Sequence, residues 1–100
     1  MGVIYEFNWY LVAESENAYI LQEDSTTYIL KKSEKRIYPI GFSIPLIIKN
    51  KGCIAEVKIT KVEVEEKQTQ IYFSFINRYN HNDVIAQHYY DKYLDFKKNN

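Results

Sequence analysis

Apolar and polar side chains alternate with a period of two along most of residues 3–77. In the first segment one parity is apolar, and its members are Val3, Tyr5, Phe7, Trp9 and Leu11. Because successive side chains of a β-strand point to opposite faces, such a segment can bury one face and expose the other. The pattern predicts a mainly β protein whose first strand covers residues 3–11.

Turn-forming residues divide the following region into short strands. We predict strands over residues 19–21, 26–32 and 44–48, each bounded by polar or glycine-containing turns. Pro39 and Pro45 have no backbone N–H to give to a sheet ladder. The stretch around the two prolines is therefore predicted to lie at a sheet edge or in a connection.

The longest predicted strand covers residues 53–64 and changes parity near its end. Its first apolar set is Cys53, Ala55, Val57 and Ile59, and its second is Val62 and Val64. One extra residue near Thr60 and Lys61 would produce this change, which is typical of a β-bulge that bends the strand. Residues 69–76 are predicted to return beside it, so that residues 53–76 form a hairpin. Such a bend lets a small sheet curl.

The pattern changes to a helical period near the C-terminus. Apolar residues recur at spacings of four, four and three, at Ile85, Tyr89, Tyr93 and Phe96. This stripe predicts a helix over residues 82–97. Asn82 is the predicted N-cap and Asp83 is placed in the first turn, with Lys97 and Lys98 in the last turn, where they suit the helix dipole.

Together these elements predict one domain over residues 1–100. Its fold class is mainly β, a small curled antiparallel sheet or barrel over residues 1–77 with one C-terminal α-helix. A chain of 100 residues buries roughly 60–70% of its unfolded surface, which is enough for one core.

The charge balance and the cysteine content limit the classes of protein to which this chain could belong. The chain has 13 basic and 13 acidic residues, so it lacks the excess of positive charge that general nucleic-acid binders use. The single cysteine, Cys53, cannot form an internal disulfide, which favours the cytoplasm. No apolar run approaches the roughly 18–20 residues of a membrane span, and the N-terminus does not resemble a signal peptide.

Few residues could support catalysis. His81 and His88 are seven positions apart, about 10 Å along a helix by rise alone, which is too far for one metal ion. Cys53 sits among apolar neighbours, which raise a thiol pKa and make it inert. A small enzyme would need a pocket that holds His81, His88 or Cys53 beside an acid. We therefore predict no catalytic residue, metal site or cofactor, and a protein that is not an enzyme.

Two groups of residues are candidates for binding. The first is a basic, aromatic stretch whose members are Lys31, Lys32, Lys35, Arg36 and Tyr38. Lysine and arginine can hold phosphates while tyrosine stacks on an unpaired base, although such charges often only protect a sheet edge. The second is the aromatic set of the predicted helix, Tyr89, Tyr90, Tyr93 and Phe96. This set could contact a partner, or it could dock the helix over an open end of the barrel.

Several short motifs, in order, resemble one known family. They are Met1-Gly2, Glu6-Phe7-Asn8, Arg36-Ile37-Tyr38-Pro39, Ile44-Pro45, Ala55-Glu56-Val57, and Thr69 with Ile71 and Phe73. Over residues 1–76 the chain resembles the small YtmB-like proteins of low-GC Gram-positive bacteria, a family of unknown function. Gly52 is one position earlier than that pattern, and residues 78–100 extend past the usual family end. The resemblance implies a small β-barrel akin to PUA-like folds.

These observations lead to one main hypothesis and one alternative. The main hypothesis is a non-catalytic binding module, with RNA as a ligand by analogy with PUA-like folds. The alternative is a protein-interaction or self-associating structural protein that uses the tyrosine-rich helix.

Overall fold

The computed structural model describes residues 8–34, 36–80 and 83–98. The strands of this part of the chain are β1 (Leu11–Ala13), β2 (Tyr19–Leu21), β3 (Tyr28–Ser33), β4 (Ser43–Ile48), β5 (Gly52–Val64) and β6 (Gln68–Arg78). One helix, α1 (Val84–Lys98), follows them. The predicted fold class, a mainly β curled sheet with a C-terminal helix, is confirmed.

All six strands belong to one sheet, in the spatial order β1-β4-β5-β6-β3-β2. The pairs are antiparallel except for β1 and β4, which run parallel and place Leu11 opposite Leu46. A fully antiparallel sheet was predicted. Alternation along a strand reports which face is buried, but it does not report the direction of a neighbour from a distant part of the chain.

The hairpin of β5 and β6 is confirmed, and so is its bulge. The pairing register shifts between Ile59 and Lys61, which leaves Thr60 as the extra residue. Two further shifts leave Ile54 unpaired opposite β4 and Ile76 unpaired opposite β5. Each bulge bends its strand and increases the local twist, and together they curl the sheet into a half-barrel.

The main core fills the inside of this half-barrel. Its buried members are Leu11, Ala13, Leu30, Tyr38, Ile44, Leu46, Ile48, Ala55, Val57, Ile59, Ile71 and Phe73. Side chains from both ends of the sheet meet there because the sheet is curled. For Ala55, Val57 and Ile59 in β5, and for Ile71 and Phe73 in β6, the alternation predicted the buried face correctly.

A second, smaller core lies on the other face of the sheet, beneath α1. Ile47, Cys53 and Ala86 form its centre. Cys53 was predicted on the same face as Ala55, and this prediction is wrong because the bulge at Ile54 breaks the alternation between them. The helix thus covers a face of the sheet, and the predicted position over an open end of a barrel is also wrong.

The first strand was predicted over residues 3–11, and its residues 3–7 lie outside the described part of the chain. Among the residues from Asn8 onward, regular pairing begins at Leu11. Trp9 was predicted to face the core but is 53% exposed. The proline prediction is confirmed, because Pro39 is in the connection before β4 and Pro45 lies outside the stretch of β4 that pairs with β1.

The helix is confirmed, but its buried stripe is displaced. Ala86 is 4% exposed whereas Ile85 is 54% exposed, so the inward face begins one residue later than predicted. Asp83 precedes the helix rather than lying in its first turn, and its carbonyl oxygen accepts the Gln87 N–H at 3.1 Å. The predicted cap, Asn82, is outside the described residues. No helix in residues 8–34, 36–80 and 83–98 is long and apolar enough to span a membrane.

Candidate functional site

A cleft of about 280 Å³ lies where the two ends of the curled sheet approach each other. We call it the seam cleft. One wall comes from β3 and the residues after it, and includes Lys31, Lys32, Ser33 and Arg36. The other wall comes from β1 and the residue after it, and includes Val12, Ala13 and Glu14. Three of the five residues predicted to bind RNA are thus brought together, although strands β1 and β3 do not pair with each other.

Lys32 bridges the two walls of the seam cleft. Its side chain lies on the same face of β3 as the buried Leu30 and is itself half-buried. The Nζ group donates a hydrogen bond to the Val12 carbonyl oxygen at 2.7 Å. A lysine can bury its aliphatic stem while its charged end reaches a polar partner. Lys32 therefore connects the two ends of the sheet with one charge-assisted hydrogen bond.

The electrostatic environment of Lys32 is crowded with positive charge. Burial is the main cause of its lowered pKa, and the neighbouring charges of Arg36 and Lys49 lower it further. Glu14 opposes this effect, but its carboxylate also pairs with the Lys49 ammonium group at 3.6 Å. An anion in the cleft would stabilise the charged form of Lys32.

Arg36 is held in place by a buried threonine. Its backbone N–H donates to the Thr69 hydroxyl at 2.9 Å, and that hydroxyl donates to the Glu34 carbonyl oxygen at 2.7 Å. The Arg36 Nε group donates to the Ser33 carbonyl oxygen at 2.9 Å. Within residues 8–34, 36–80 and 83–98, Arg36 forms no salt bridge. Its charge is therefore held at the cleft without a paired carboxylate among those residues.

Thr69 was named among the resemblance motifs but not as a site residue. It shares the parity of Ile71 and Phe73, so the alternation places it on the buried face, and it is fully buried in the structure. A hydroxyl in an otherwise apolar row indicates a buried hydrogen bond. That signal was available in the sequence.

The other members of the predicted RNA-binding stretch have different positions. Lys31 is exposed at the rim of the cleft, and Lys35 lies outside the described residues. Tyr38 is 5% exposed within the main core, and burial raises the pKa of its hydroxyl to about 12. Its predicted role in stacking on a base is incompatible with this burial.

The aromatic residues of the helix are mostly turned toward the sheet. Tyr89, Tyr90 and Tyr93 are half-buried and pack against the second core, and the Tyr93 ring lies 5.5 Å from the Tyr10 ring in an edge-on contact. Phe96 is 44% exposed, with its ring 6.0 Å from that of Tyr10. Three of the four side chains thus contribute to packing within the molecule. Partner binding by this helix stays a prediction.

Of the three residues considered for catalysis, the structure describes Cys53 and His88. Cys53 is buried and its Sγ atom lies 3.6 Å from the Ala55 carbonyl oxygen. His88 is exposed on α1, where its ring lies 6.1 Å from the Tyr89 ring, and His81 is outside the described residues. In the part of the chain that the structure describes, no three potential metal ligands form a cluster.

The buried thiol leads to a prediction about alkaline pH. Burial raises the pKa of Cys53 from 9.0 to about 11, so between these values the unfolded thiol loses its proton while the folded thiol keeps it. The unfolded state then binds fewer protons, and the free energy of unfolding falls as pH rises through this window. Urea unfolding of the wild type and of Cys53→Ala should show a smaller alkaline loss in the variant. Equal losses in both proteins would contradict the prediction.

Comparison with known proteins identifies the family. A family model described as "Domain of unknown function (DUF2584)" matches residues 1–82. The chain belongs to this family. The DUF2584 match confirms the YtmB-like resemblance over the strands, and α1 begins just after the matched residues.

A solved structure shows the same fold. The crystal structure of the protein YtmB from Bacillus subtilis, a structural genomics target, superimposes with a TM-score of 0.67 and 22% sequence identity. The match covers 79% of this chain and 95% of the YtmB chain. No curated protein matches the sequence. These comparisons establish the DUF2584 family and the fold.

Proposed function

We propose that this protein is a non-catalytic binding module that holds the phosphate backbone of single-stranded RNA in the seam cleft. The observation that carries the proposal is the meeting of Lys31, Lys32 and Arg36 at one cleft. Phosphate groups are bound through charge-assisted hydrogen bonds from lysine and arginine. Lys49, whose charge acts on Lys32, adds to the positive potential there.

An exposed aromatic residue that follows Asn8 in the chain, Trp9, favours RNA over a free phosphate ion. The backbone N–H of Asn8 donates to the Ile37 carbonyl oxygen at 2.9 Å, which holds residues 8 and 9 beside the segment that contains Arg36. Trp9 is 53% exposed and takes the stacking role predicted for Tyr38. A base stacked on an aromatic ring beside a basic groove is the usual arrangement for single strands. The expected kinship with PUA-like folds is a further reason for choosing RNA.

The environment of Cys53 supports a role without catalysis. A nucleophilic cysteine needs a lowered pKa and access to substrate. Burial instead raises the pKa of Cys53 to about 11. Binding is therefore the function to test first.

Fluorescence anisotropy with a labelled oligo(U) strand tests the proposal. We expect Lys31→Gln/Arg36→Gln to weaken binding about tenfold, which corresponds to ~1.4 kcal/mol, and to reduce the dependence of affinity on salt because fewer counterions are released. Lys58→Gln/Lys92→Gln is the matched control, since both lysines are exposed and neither lines the seam cleft. Trp9→Ala should weaken oligo(U) binding without changing the salt dependence.

Two results would overturn the RNA proposal. One is the absence of oligo(U) binding by the wild type at low salt. The other is an equal loss in Lys31→Gln/Arg36→Gln and in the control pair, which would mean that only net charge matters.

A further inference from the structure

A second cleft, of about 400 Å³, lies between the start of α1, the turn between β4 and β5, and the end of β6. We call it the helix–sheet cleft. Its volume falls in the range of small-molecule pockets. None of the residues that line it also lines the seam cleft. The two clefts can therefore be tested separately.

Part of the lining of the helix–sheet cleft is apolar. Cys53 is 7% exposed and Ala86 is 4% exposed, and the half-buried Ile54 lies beside them. Gly52 lies beside these groups, and a Cβ atom placed there would make an ordinary van der Waals contact with the Tyr90 ring at 3.8 Å. A ligand with a small apolar body could displace water from these groups.

The rim of the helix–sheet cleft carries two cations with different environments. The Lys51 ammonium group pairs with the Glu16 carboxylate at 3.0 Å. Arg78 forms no salt bridge within the described ranges 8–34, 36–80 and 83–98. Its guanidinium carbon lies 3.8 Å from the centre of the Phe75 ring, and one Nη group lies 3.4 Å from the Tyr28 hydroxyl.

These contacts hold the guanidinium group in a defined position. A guanidinium that stacks on a ring keeps its N–H edges available and loses less entropy when it binds a ligand. Its planar fork matches the two oxygens of a carboxylate. The cleft therefore combines an apolar lining with an orientated arginine that forms no ion pair in the part of the chain that the structure describes, while the Glu16 carboxylate in the lining pairs with Lys51.

From this combination we propose that the helix–sheet cleft binds a small organic carboxylate. The carboxylate lies against Arg78, and the apolar body of the ligand contacts Cys53, Ile54 and Ala86. This site is separate from the proposed RNA site, and its ligand has a different chemistry.

Benzoate is a suitable probe because it joins a carboxylate to a compact apolar ring, and benzamide is its uncharged analogue. In a titration followed by ¹H–¹⁵N NMR, benzoate should produce saturable shifts of the Gly52, Cys53 and Gln87 amide signals. Benzamide at the same concentrations should produce much smaller shifts. Non-saturable shifts, or equal shifts with both compounds, would overturn the proposal.

Three variants test the assigned contacts in the intact protein. Arg78→Gln should weaken benzoate binding about tenfold, and Arg78→Lys should weaken it less because the charge remains without the planar fork. Glu16→Gln should tighten binding, since it releases Lys51 from its carboxylate partner. Unchanged benzoate affinity in Arg78→Gln would overturn the assignment. Oligo(U) affinity should not change in Glu16→Gln, so failure at one cleft is distinguishable from failure at the other.

Discussion

Replacement of Phe73 by alanine should lower the free energy of unfolding by about 3–5 kcal/mol. Phe73 is fully buried at the centre of the main core. Its ring lies 5.6–5.8 Å from the rings of Tyr19, Tyr28 and Phe75. The substitution removes the apolar area of the ring and leaves a cavity that a curled sheet cannot close without moving its strands.

Urea unfolding followed by circular dichroism measures the effect of Phe73→Ala. Phe42→Ala is the matched control because Phe42 is 62% exposed, so its removal should change stability by less than about 0.5 kcal/mol. Comparable losses in the two variants would mean that the inside of the half-barrel is not the main source of stability.

Replacement of Thr69 by valine should have the second-largest effect, a loss of about 1–2 kcal/mol. Valine keeps the shape of the side chain but removes the hydroxyl. The Glu34 carbonyl oxygen and the Arg36 N–H then lose their partner in a half-buried part of the structure. A polar group that is partly screened from water and has no hydrogen bond keeps part of its desolvation cost.

The same substitution connects stability to the proposed RNA site. Because the Thr69 hydroxyl positions Arg36, Thr69→Val should also weaken oligo(U) binding under conditions in which the variant is folded. Thr60→Val is the control, since the Thr60 hydroxyl is exposed and donates to the Tyr72 carbonyl oxygen at 3.2 Å on the same hairpin. Normal stability in Thr69→Val would contradict the proposed anchoring role.

The strands and the central hairpin could be predicted because alternation is a local property of the sequence. Phe73, Ile71 and Val57 follow the predicted parity and are fully buried. Cys53 did not follow its predicted parity because a bulge at Ile54 lies between it and Ala55. The sequence did not reveal this bulge because Cys53, Ile54 and Ala55 are all apolar. Such a run does not reveal which residue is the extra one in a bulge. The face of β5 beneath α1 was therefore assigned only by the structure.

The candidate sites were predicted in part, for a related reason. Clustering of charge in the sequence identified Lys31, Lys32 and Arg36, which meet at the seam cleft. The same clustering could not show that Tyr38 points into the core, because a tyrosine suits both a core and a surface. The helix–sheet cleft joins Arg78, Lys51 and Ala86 from distant positions, so it depends on tertiary packing that no local pattern encodes.

The parallel pairing of β1 with β4 has a consequence for how the protein is made. Residues 11–13 are synthesised before their partners, residues 46–48. Closing such a long loop costs entropy, and pairing with a β4 that is already held by β5 and β6 offsets this cost. β1 should thus join the sheet late, after the β4–β6 strands have paired.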